Sequence, residues 1–275
     1  MDSLHDKRQN LISILKGMES ILIAYSGGAD STFLVVMAHK VLGNKVLAVT
    51  ANSPSLAPSE LQEAISIASE FGFGHQIINT SELDDPNYRE NGPKRCYFCK
   101  RELHTRLHEL ALELGFDYVA SGTNIDDLSD FRPGLRATRE FNVRNPLAEA
   151  KLGKTEIRRL SQEMGIPNWD KPAQACLSSR IPYGSIVTVE ALKKIGRAEM
   201  VLRELGFTQF RVRHHDTIAR IEVDPEELHL IFESQIRDAV ITALRNLGYL
   251  YVTIDLAGYR QGSLNEGLRS KQRLT

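Results

Sequence analysis

A glycine-rich turn at residues 26–31 joins a short apolar run to the start of an apolar-periodic helix. The turn reads Ser26-Gly27-Gly28-Ala29-Asp30-Ser31. Glycine allows backbone angles and a close approach that a Cβ would prevent, so successive N–H groups can point at one anion. The helix dipole and the hydroxyls of Ser26 and Ser31 favour the same anion. The turn predicts a phosphate-binding loop without a lysine; alternatively, the glycines only turn the chain and Asp30 only caps the helix.

Three cysteines form a second candidate centre. Cys96 and Cys99 are separated by two residues, and Cys176 lies much further along the chain. The pair alone is compatible with half of a zinc site, two ligands of an iron–sulfur cluster, or a redox-active dithiol. A zinc site would require Cys176 and a histidine such as His104 or His108. Three thiolates from two separate segments also suit a cubane cluster with one open iron corner, which could bind an exogenous sulfide.

Arginine side chains near Cys176 and elsewhere could bind anionic groups. In Cys176-Leu177-Ser178-Ser179-Arg180 a thiol, two hydroxyls and a guanidinium are close in sequence, which suits an anionic substrate held near sulfur. Two further pairs can bind carboxylate or phosphate, namely Arg132 with Arg136, and Arg211 with Arg213. The second pair shares one face of a predicted strand. The alternative for both pairs is an ordinary solvated surface.

The elements that must position these residues alternate between strand and helix over the first two-thirds of the chain. This alternation predicts an α/β fold with a parallel sheet flanked by helices. The predicted strands are 21–25, 45–50, 75–79 and 116–120, and the predicted helices are 31–42, 59–71, 101–114 and 155–164. Carboxyl ends of parallel strands bind ligands, so residues 26–31, 49–53 and 121–127 are expected at one edge. There Asp126 and Asp127 could hold Mg²⁺.

The periodic pattern breaks from Asn168 to Gly184, which indicates a functional loop or a linker. The sequence therefore predicts a first domain over 1–168, an active-site loop over 169–184 and a small α+β domain over 185–275. The elements predicted for the small domain are a helix over 189–205, strands over 210–214 and 218–223, a helix from Pro225 to about 247, and a strand over 251–256.

Composition places the chain among globular proteins. Of 275 residues, 42% are hydrophobic and 25% charged, and the formal net charge is -1. Near-neutral charge disfavours extended binding to nucleic acid, which relies on clustered Lys and Arg. The sequence has no apolar stretch of 18 residues and no leader-like N-terminus, so we expect a cytoplasmic protein with no membrane association.

The turn at 26–31 after an apolar strand resembles the pyrophosphate loop of the ATP-pyrophosphatase superfamily. In that superfamily ATP is cleaved between the α and β phosphates to adenylate a substrate, on an adenine-nucleotide α-hydrolase-like fold. The resemblance implies that Ser26, Gly27, Gly28, Asp30 and Ser31 bind ATP. It also implies that Thr50 and Ala51 hold adenine and ribose, and that Gly122 and Thr123 approach the α-phosphate and sugar.

A narrower resemblance covers nearly the whole chain. Residues 26–31, 132–136, 154–158, 176–184 and 211–216 are similar to the LarE sulfur transferases, which mature the nickel-pincer cofactor of lactate racemase. The resemblance implies adenylation of a carboxylate of pyridinium-3,5-biscarboxylic acid mononucleotide, followed by replacement of AMP with sulfur. Two rounds would give the bisthiocarboxylate. ATP, Mg²⁺, a small-molecule substrate and a sulfide source are the implied partners, and we expect a homo-oligomer.

The cysteine count distinguishes two branches of that family. Members with one active cysteine, at the position of Cys176, sacrifice its sulfur and keep dehydroalanine. This chain is similar to the three-cysteine branch, in which Cys96, Cys99 and Cys176 would bind a 4Fe-4S cluster that carries an extra sulfide. By the same resemblance Ser179, Arg211 and Arg213 would bind the substrate phosphate. A tRNA thiolase and a non-enzymatic nucleotide sensor with structural zinc are the alternatives.

Overall fold

The computed structural model describes residues 3–129, 133–172, 174–260 and 262. In chain order its helices and strands are α1 (Leu4–Lys16), β1 (Ile21–Ala24), α2 (Ala29–Leu42), β2 (Val46–Asn52), α3 (Pro58–Phe71), β3 (Gly74–Asn79), α4 (Pro86–Arg89), α5 (Arg95–Leu114), β4 (Tyr118–Ser121), α6 (Gly134–Glu140), α7 (Pro146–Glu149), α8 (Lys154–Glu163), α9 (Val189–Glu204), β5 (Phe210–His215), β6 (Ile218–Val223), α10 (Ser234–Asn246) and β7 (Tyr251–Ile254). They form two compact units, which are described separately below.

The first unit comprises residues up to Asp85 together with Lys94–Gln174. Its sheet has the order β3-β2-β1-β4, and all three strand pairs are parallel. In β1, Ile21, Leu22 and Ile23 are each 0% exposed. A strand with no polar side is expected where helices cover both faces of a parallel sheet. The predicted α/β fold with a parallel sheet flanked by helices is confirmed.

Two apolar clusters hold the helices against the two faces of this sheet. On one face, side chains of α1, α2 and α8 such as Leu15, Phe33 and Ile157 pack together with Ile23 of β1. On the other face, Leu107 of α5 packs with Leu22 of the same strand. Alternate residues of β1 therefore point into different cores, as the twofold periodicity of a strand requires.

The order of the strands creates a crevice beside β1. The chain passes from β1 to β2 and β3 on one side, and then returns to place β4 on the other side. Ligands of open α/β sheets bind where the strand order reverses in this way. Consequently the loops that follow β1 and β4, which begin at Tyr25 and Gly122, lie side by side at the carboxyl edge.

The second unit comprises Pro86–Pro93 and the described residues from Ala175 onward. In its sheet β5 and β6 are antiparallel, and β7 pairs parallel to β6. Buried residues of α9, α10 and the sheet, among them Leu202, Val212 and Leu244, form its core. The small α+β arrangement predicted for the C-terminal region is thus present.

The segment Pro86–Pro93 belongs to this unit although it lies within the first half of the sequence. The hydroxyls of Tyr88 and Ser178 are 2.6 Å apart, and both side chains are buried. Asn91 Nδ2 donates to the carbonyl oxygens of Ile181 at 3.1 Å and Pro182 at 2.8 Å. The predicted division of the chain at residues 168 and 184 stays a prediction. That division placed Pro86–Pro93 in the first domain because the segment lies before residue 168.

Two helices differ from their predicted bounds. The helix predicted from residue 101 begins at Arg95, so Cys96 and Cys99 lie in its first turns rather than before it. Its N-cap, Lys94, makes no side-chain capping bond, so no capping signal was present in the sequence. The continuous helix predicted from Pro225 is wrong, because Pro225–Phe232 is a 3₁₀ helix and extended backbone at Glu233 separates it from α10.

Within the described ranges, no helix combines the length and the apolar character needed to cross a membrane.

Candidate active site

The turn between β1 and α2 requires glycine at its first bend. Gly27 has φ 71°, in the left-handed region that L side chains rarely adopt. A Cβ on Gly27 would also lie 3.1 Å from Cβ of Ala64 in α3. Helix α2 begins at Ala29 with Gly28 as its N-cap, so Asp30 does not cap it. The capping alternative considered for Asp30 is therefore wrong.

Two hydroxyl groups of α2 orient the carbonyl of Gly28 toward the first turn of the helix. Its oxygen accepts from Ser31 Oγ at 3.0 Å, Thr32 Oγ1 at 2.9 Å and the Thr32 N–H at 3.0 Å. Because the peptide is planar and trans, the N–H of Ala29 points the opposite way. The Ser26 hydroxyl lies 3.2 Å from that of Ser31. The first N–H groups of α2 therefore face the crevice, as an anion site at a helix start requires.

Asp30 places a carboxylate beside these N–H groups. Its Oδ2 accepts from Asn124 Nδ2 at 3.0 Å, and Asn124 is fully buried. Burial raises the pKa of the Asp30 carboxyl above its ordinary value, and the negative charge of Asp127 raises it further. The side chain links the loop after β1 to the loop after β4. The sequence placed Asn124 in the right loop but gave no sign of this contact.

Gly122 brings the loop after β4 against the start of α2. A Cβ on Gly122 would lie only 2.8 Å from the backbone N and Cα of Ser31. The neighbouring Thr123 hydroxyl lies 2.9 Å from that of Ser121, which donates to Asn145 Oδ1 at 2.7 Å. Glycine is needed here for contact between two protein segments. The nucleotide contacts predicted for Gly122 and Thr123 stay predictions.

The end of β2 is the third predicted part of this edge. Thr50 is buried, and its Oγ1 donates to the Tyr25 carbonyl at 2.8 Å and lies 2.8 Å from His75 Nε2. Its hydroxyl thus fastens β2 to its neighbours, which leaves the backbone and the half-buried Ala51 to face a ligand. Adenine and ribose binding by Thr50 and Ala51 stays a prediction.

The carboxylates considered for Mg²⁺ hold their own loop. Asp126 Oδ2 accepts from the Lys154 N–H at 2.8 Å, and Asp127 Oδ1 lies 3.1 Å from Lys154 Nζ. Asn124 Oδ1 in turn accepts from the N–H groups of both aspartates. These contacts fix the loop that carries Asn124.

The Cys96–Cys99 pair lies at the N-terminal end of α5, one turn apart. The Cys96 side chain is exposed, and that of Cys99 is partly exposed. Helix α6 packs beside it, where Arg136 Nε donates to Glu140 at 2.7 Å and its guanidinium lies 5.3 Å from the centre of the Tyr97 ring. Arg136 is thus placed near the cysteine motif, whereas Arg132 lies outside the described residues.

The histidines considered as zinc ligands are poorly placed to join both cysteines. His104 is fully buried, its Nε2 lies 3.2 Å from Thr138 Oγ1, and burial lowers its pKa to about 3. Eight residues separate it from Cys96, which is about 12 Å along a helix axis, whereas ligands of one zinc are within about 4 Å of each other. In the part of the chain that the structure describes, no group of three or more His, Cys, Asp or Glu could hold a metal ion.

Cys176, in the second unit, is an exposed free thiol immediately before a 3₁₀ turn. Arg180 holds the backbone around it, because its Nη1 donates to the carbonyls of Ala175 at 2.6 Å and Cys176 at 3.1 Å. The rest of this buried guanidinium pairs with Glu199 through Nε at 2.8 Å and Nη2 at 2.9 Å. Arg180 therefore shapes the loop, and its predicted contact with substrate stays a prediction.

Arg213 is fixed in a similar way. Its Nε and Nη2 donate to the two oxygens of the fully buried Glu222 at 3.0 and 2.7 Å. Its Nη1 donates to the Ser179 carbonyl at 2.9 Å, so the half-buried Ser179 is held beside β5. The structure therefore brings Arg213 and Ser179 together, and their binding of a shared ligand stays a prediction.

Arg211 differs from its neighbours. It is 6% exposed, and no carboxylate among the described residues forms an ion pair with it. Its guanidinium lies 4.9 Å from the centre of the Tyr259 ring, and Nη1 donates to the Phe210 carbonyl. Burial lowers the pKa of Arg211, and the positive charge of Arg180 lowers it further. The negative charge of Glu199 opposes this shift without forming an ion pair with Arg211. A buried cation that lacks an ion-pair contact is costly, so this position favours an anionic ligand.

A parallel sheet of this strand order, with a glycine-rich anion loop after its central strand, defines an adenine-nucleotide α-hydrolase-like protein. A family model described as NAD synthase matches residues 8–112. Part of a GMP synthase (glutamine-hydrolyzing) from Lacticaseibacillus casei is also similar, at 26% identity over 74% of this chain and 43% of that protein.

Two relatives match over almost their whole length. A protein of Synechocystis, described as uncharacterized, is 48% identical over 96% of this chain and 99% of its own. Pyridinium-3,5-bisthiocarboxylic acid mononucleotide synthase of Lactiplantibacillus plantarum is 39% identical over 100% of this chain and 99% of its own. The chain belongs to the family of that synthase, which confirms the family predicted from the sequence.

We expect Asp30→Asn to stabilise the protein at neutral pH. The folded state raises the pKa of Asp30, so it disfavours the ionised form. This cost is present above the folded-state pKa and disappears below the unfolded-state value, near 3.8. Urea unfolding at pH 8, 6 and 5 should therefore show a gain in the free energy of unfolding that shrinks as the pH falls.

Glu113→Gln is the control, because it removes an exposed carboxylate of α5 and should stay within about 0.5 kcal/mol of the wild type. A loss of stability in Asp30→Asn at pH 8 would contradict the expectation.

Proposed function

We propose that this chain is an ATP-dependent sulfur transferase that acts on pyridinium-3,5-biscarboxylic acid mononucleotide. It adenylates a carboxylate of that substrate and replaces AMP with sulfur, in the synthesis of the nickel-pincer cofactor. The loop at residues 26–31 carries the proposal, because the carbonyls of Gly27 and Gly28 accept hydrogen bonds from Asn168, Ser31 and Thr32 and are thereby turned away from an anion at the start of α2. The full-length relationship to the Lactiplantibacillus synthase supports the substrate.

In the first step a carboxylate oxygen of the substrate attacks the α-phosphorus of ATP. The bond from that phosphorus to the bridging oxygen breaks, and pyrophosphate leaves with the electron pair. The N–H groups at the start of α2 and the hydroxyls of Ser26 and Ser31 would bind the pyrophosphate and stabilise its developing charge. Mg²⁺ would neutralise further charge between the phosphates.

In the second step hydrosulfide, supplied by the sulfide source, attacks the acyl carbon of the adenylate. The C–S bond forms, the C–O bond to AMP breaks, AMP leaves as an anion, and the S–H proton passes to solvent. The product is a thiocarboxylate. AMP is a far better leaving group than the oxide of a free carboxylate, so activation must come before sulfur transfer. Cys176 is the side chain we assign to the sulfur step, since it is an exposed thiol in a loop fixed by Arg180.

Three cysteine thiolates are a donor set that suits a 4Fe-4S cluster. Cys96 and Cys99 lie one turn apart at the start of α5, and Cys176 is exposed. We propose that Cys96, Cys99 and Cys176 hold such a cluster, whose remaining iron would supply a binding position for sulfide.

For the substrate phosphate we propose Arg211, Arg213 and Ser179. Arg213 holds Ser179 in place, and Arg211 supplies a buried positive charge that forms no ion pair with a described carboxylate. A monoester phosphate would provide the missing counter-charge. The cytoplasmic location and the homo-oligomer expected from the sequence stay predictions, as does the source of sulfide.

We expect Cys176→Ser to retain the adenylation step and to lose the sulfur-transfer step. With ATP, Mg²⁺ and the biscarboxylate mononucleotide, the wild type should release pyrophosphate and AMP and form thiocarboxylate. The variant should still release pyrophosphate, because the adenylating loop is unchanged, but thiocarboxylate should fall at least about a hundredfold. Pyrophosphate can be measured by a coupled assay and the thiocarboxylate by mass spectrometry. The proposal is wrong if the wild type releases no pyrophosphate with this substrate.

Metal analysis of protein purified without oxygen tests the cluster. We expect about four iron atoms per chain with a brown iron–sulfur absorption, and loss of both in Cys96→Ser, Cys99→Ser and Cys176→Ala. Stoichiometric zinc with no iron in the wild type would contradict the cluster and leave the zinc alternative.

We expect Arg211→Met to weaken binding of the mononucleotide without destabilising the fold. Removal of a buried charge without a partner should leave the free energy of unfolding equal or higher, while KM for the mononucleotide rises at least about tenfold. Arg203→Met is the matched control, because Arg203 is exposed and lies 5.7 Å from the centre of the Phe210 ring in the same unit. Equal KM values for the two variants would exclude Arg211 from the phosphate site.

A further inference from the structure

Asn168 contacts the glycine-rich loop from the side opposite the crevice. It is 5% exposed and lies beyond α8, within the first unit. Its Nδ2 donates to the Gly27 carbonyl at 2.8 Å and to Thr32 Oγ1 at 3.0 Å. Gly27 and Thr32 are 141 and 136 residues away in sequence. A segment assigned to an irregular loop by its sequence thus holds the phosphate-binding turn.

Two acceptors fix the orientation of the Asn168 amide. A carbonyl oxygen can only accept, so the group that faces Gly27 must be the NH₂. Asn168 Oδ1 is buried and has no hydrogen-bond partner among the described residues. The Thr32 hydroxyl accepts from Asn168 and donates to the Gly28 carbonyl at 2.9 Å. One amide therefore controls the carbonyls of both glycines, the first directly and the second through Thr32.

The neighbouring lysine fastens the same segment. Lys171 Nζ lies 2.7 Å from Glu60 Oε2 and 2.8 Å from Glu63 Oε2, both on α3. Helix α3 also supplies Ala64, which limits the space beside Gly27. The segment at 168–171 and α3 together enclose the inner side of the turn.

From these contacts we infer that Asn168 is a positioning residue for the phosphates of ATP. With the Gly27 oxygen held by Asn168, the trans peptide directs the Gly28 N–H away from Asn168, to the side of the exposed Ser26 hydroxyl, whose Oγ lies 3.4 Å from it. The Gly28 oxygen is turned inward as well, so no carbonyl of the two glycines faces the phosphate charge. Without Asn168 the Gly27–Gly28 peptide is free to rotate and present its oxygen. The inference rests on the proposed use of ATP.

Calorimetric titration with ATP and Mg²⁺, in the absence of carboxylate substrate, tests this role. We expect Asn168→Ala to weaken ATP binding at least about tenfold, because one donor to a loop carbonyl is lost. Ile157→Val, a core substitution in α8, should lower the melting temperature by about 2–4 °C and leave ATP binding within twofold. The comparison separates loss of the contact from loss of stability.

Asn168→Asp provides a readout that general destabilisation would not change. An ionised carboxylate facing the Gly27 oxygen cannot donate and repels it, so binding at pH 8 should be weaker than in Asn168→Ala. A protonated carboxyl has one O–H donor. The ratio of ATP affinities, Asn168→Asp over Asn168→Ala, should therefore rise as the pH falls from 8 to 5.5.

Unchanged ATP affinity in Asn168→Ala, a pH-independent ratio, or no ATP binding by the wild type would each overturn the inference. If the wild type binds ATP and the variants lose affinity as expected, while no pyrophosphate is released with the biscarboxylate mononucleotide, the inference holds and the proposed function fails.

Discussion

The first unit depends on the direction of two peptide groups. An anion can bind the turn after β1 only if the carbonyls of Gly27 and Gly28 face the protein, because their partial charges would repel it. Thr32 draws one oxygen inward from the helix, and Asn168 draws the other from beyond α8. Gly122 must lack a side chain so that the loop after β4 can lie against the start of α2. A site for negative charge is thus built mainly from backbone.

Two buried side chains, one near the proposed ATP loop and one in the proposed phosphate site, carry charges that their surroundings do not fully compensate. Asp30 is a carboxylate disfavoured by its surroundings, and Arg211 is a buried cation with no ion pair among the described residues. Two other buried arginines do form ion pairs, Arg180 with Glu199 and Arg213 with Glu222, whereas no described ion pair stabilises Asp30 or Arg211. Such residues lower the stability of a protein without its ligand and are retained where binding needs them.

Much of the first unit could be predicted because the signals are local. Continuous apolar runs predicted the parallel strands, and two adjacent glycines predicted the turn after β1. The start of α5 was missed because Lys94 provides no capping signal, although this start determines how Cys96 and Cys99 are presented. The role of Asn168 could not be predicted, since it comes from a contact across 141 residues. For Arg211 and Arg213 the twofold periodicity of a strand predicted the shared face but not their different partners.

The segment Pro86–Pro93 can complete its tertiary contacts only late in synthesis of the chain. Tyr88 leaves the ribosome 90 residues before Ser178, its buried hydroxyl partner. At about 5–20 residues per second, this is a delay on the order of ten seconds. Until then the segment lacks the hydrogen bonds that it makes with residues 178–187. The loop that carries Cys176 therefore acquires its shape only when an early part of the chain is joined to a late one.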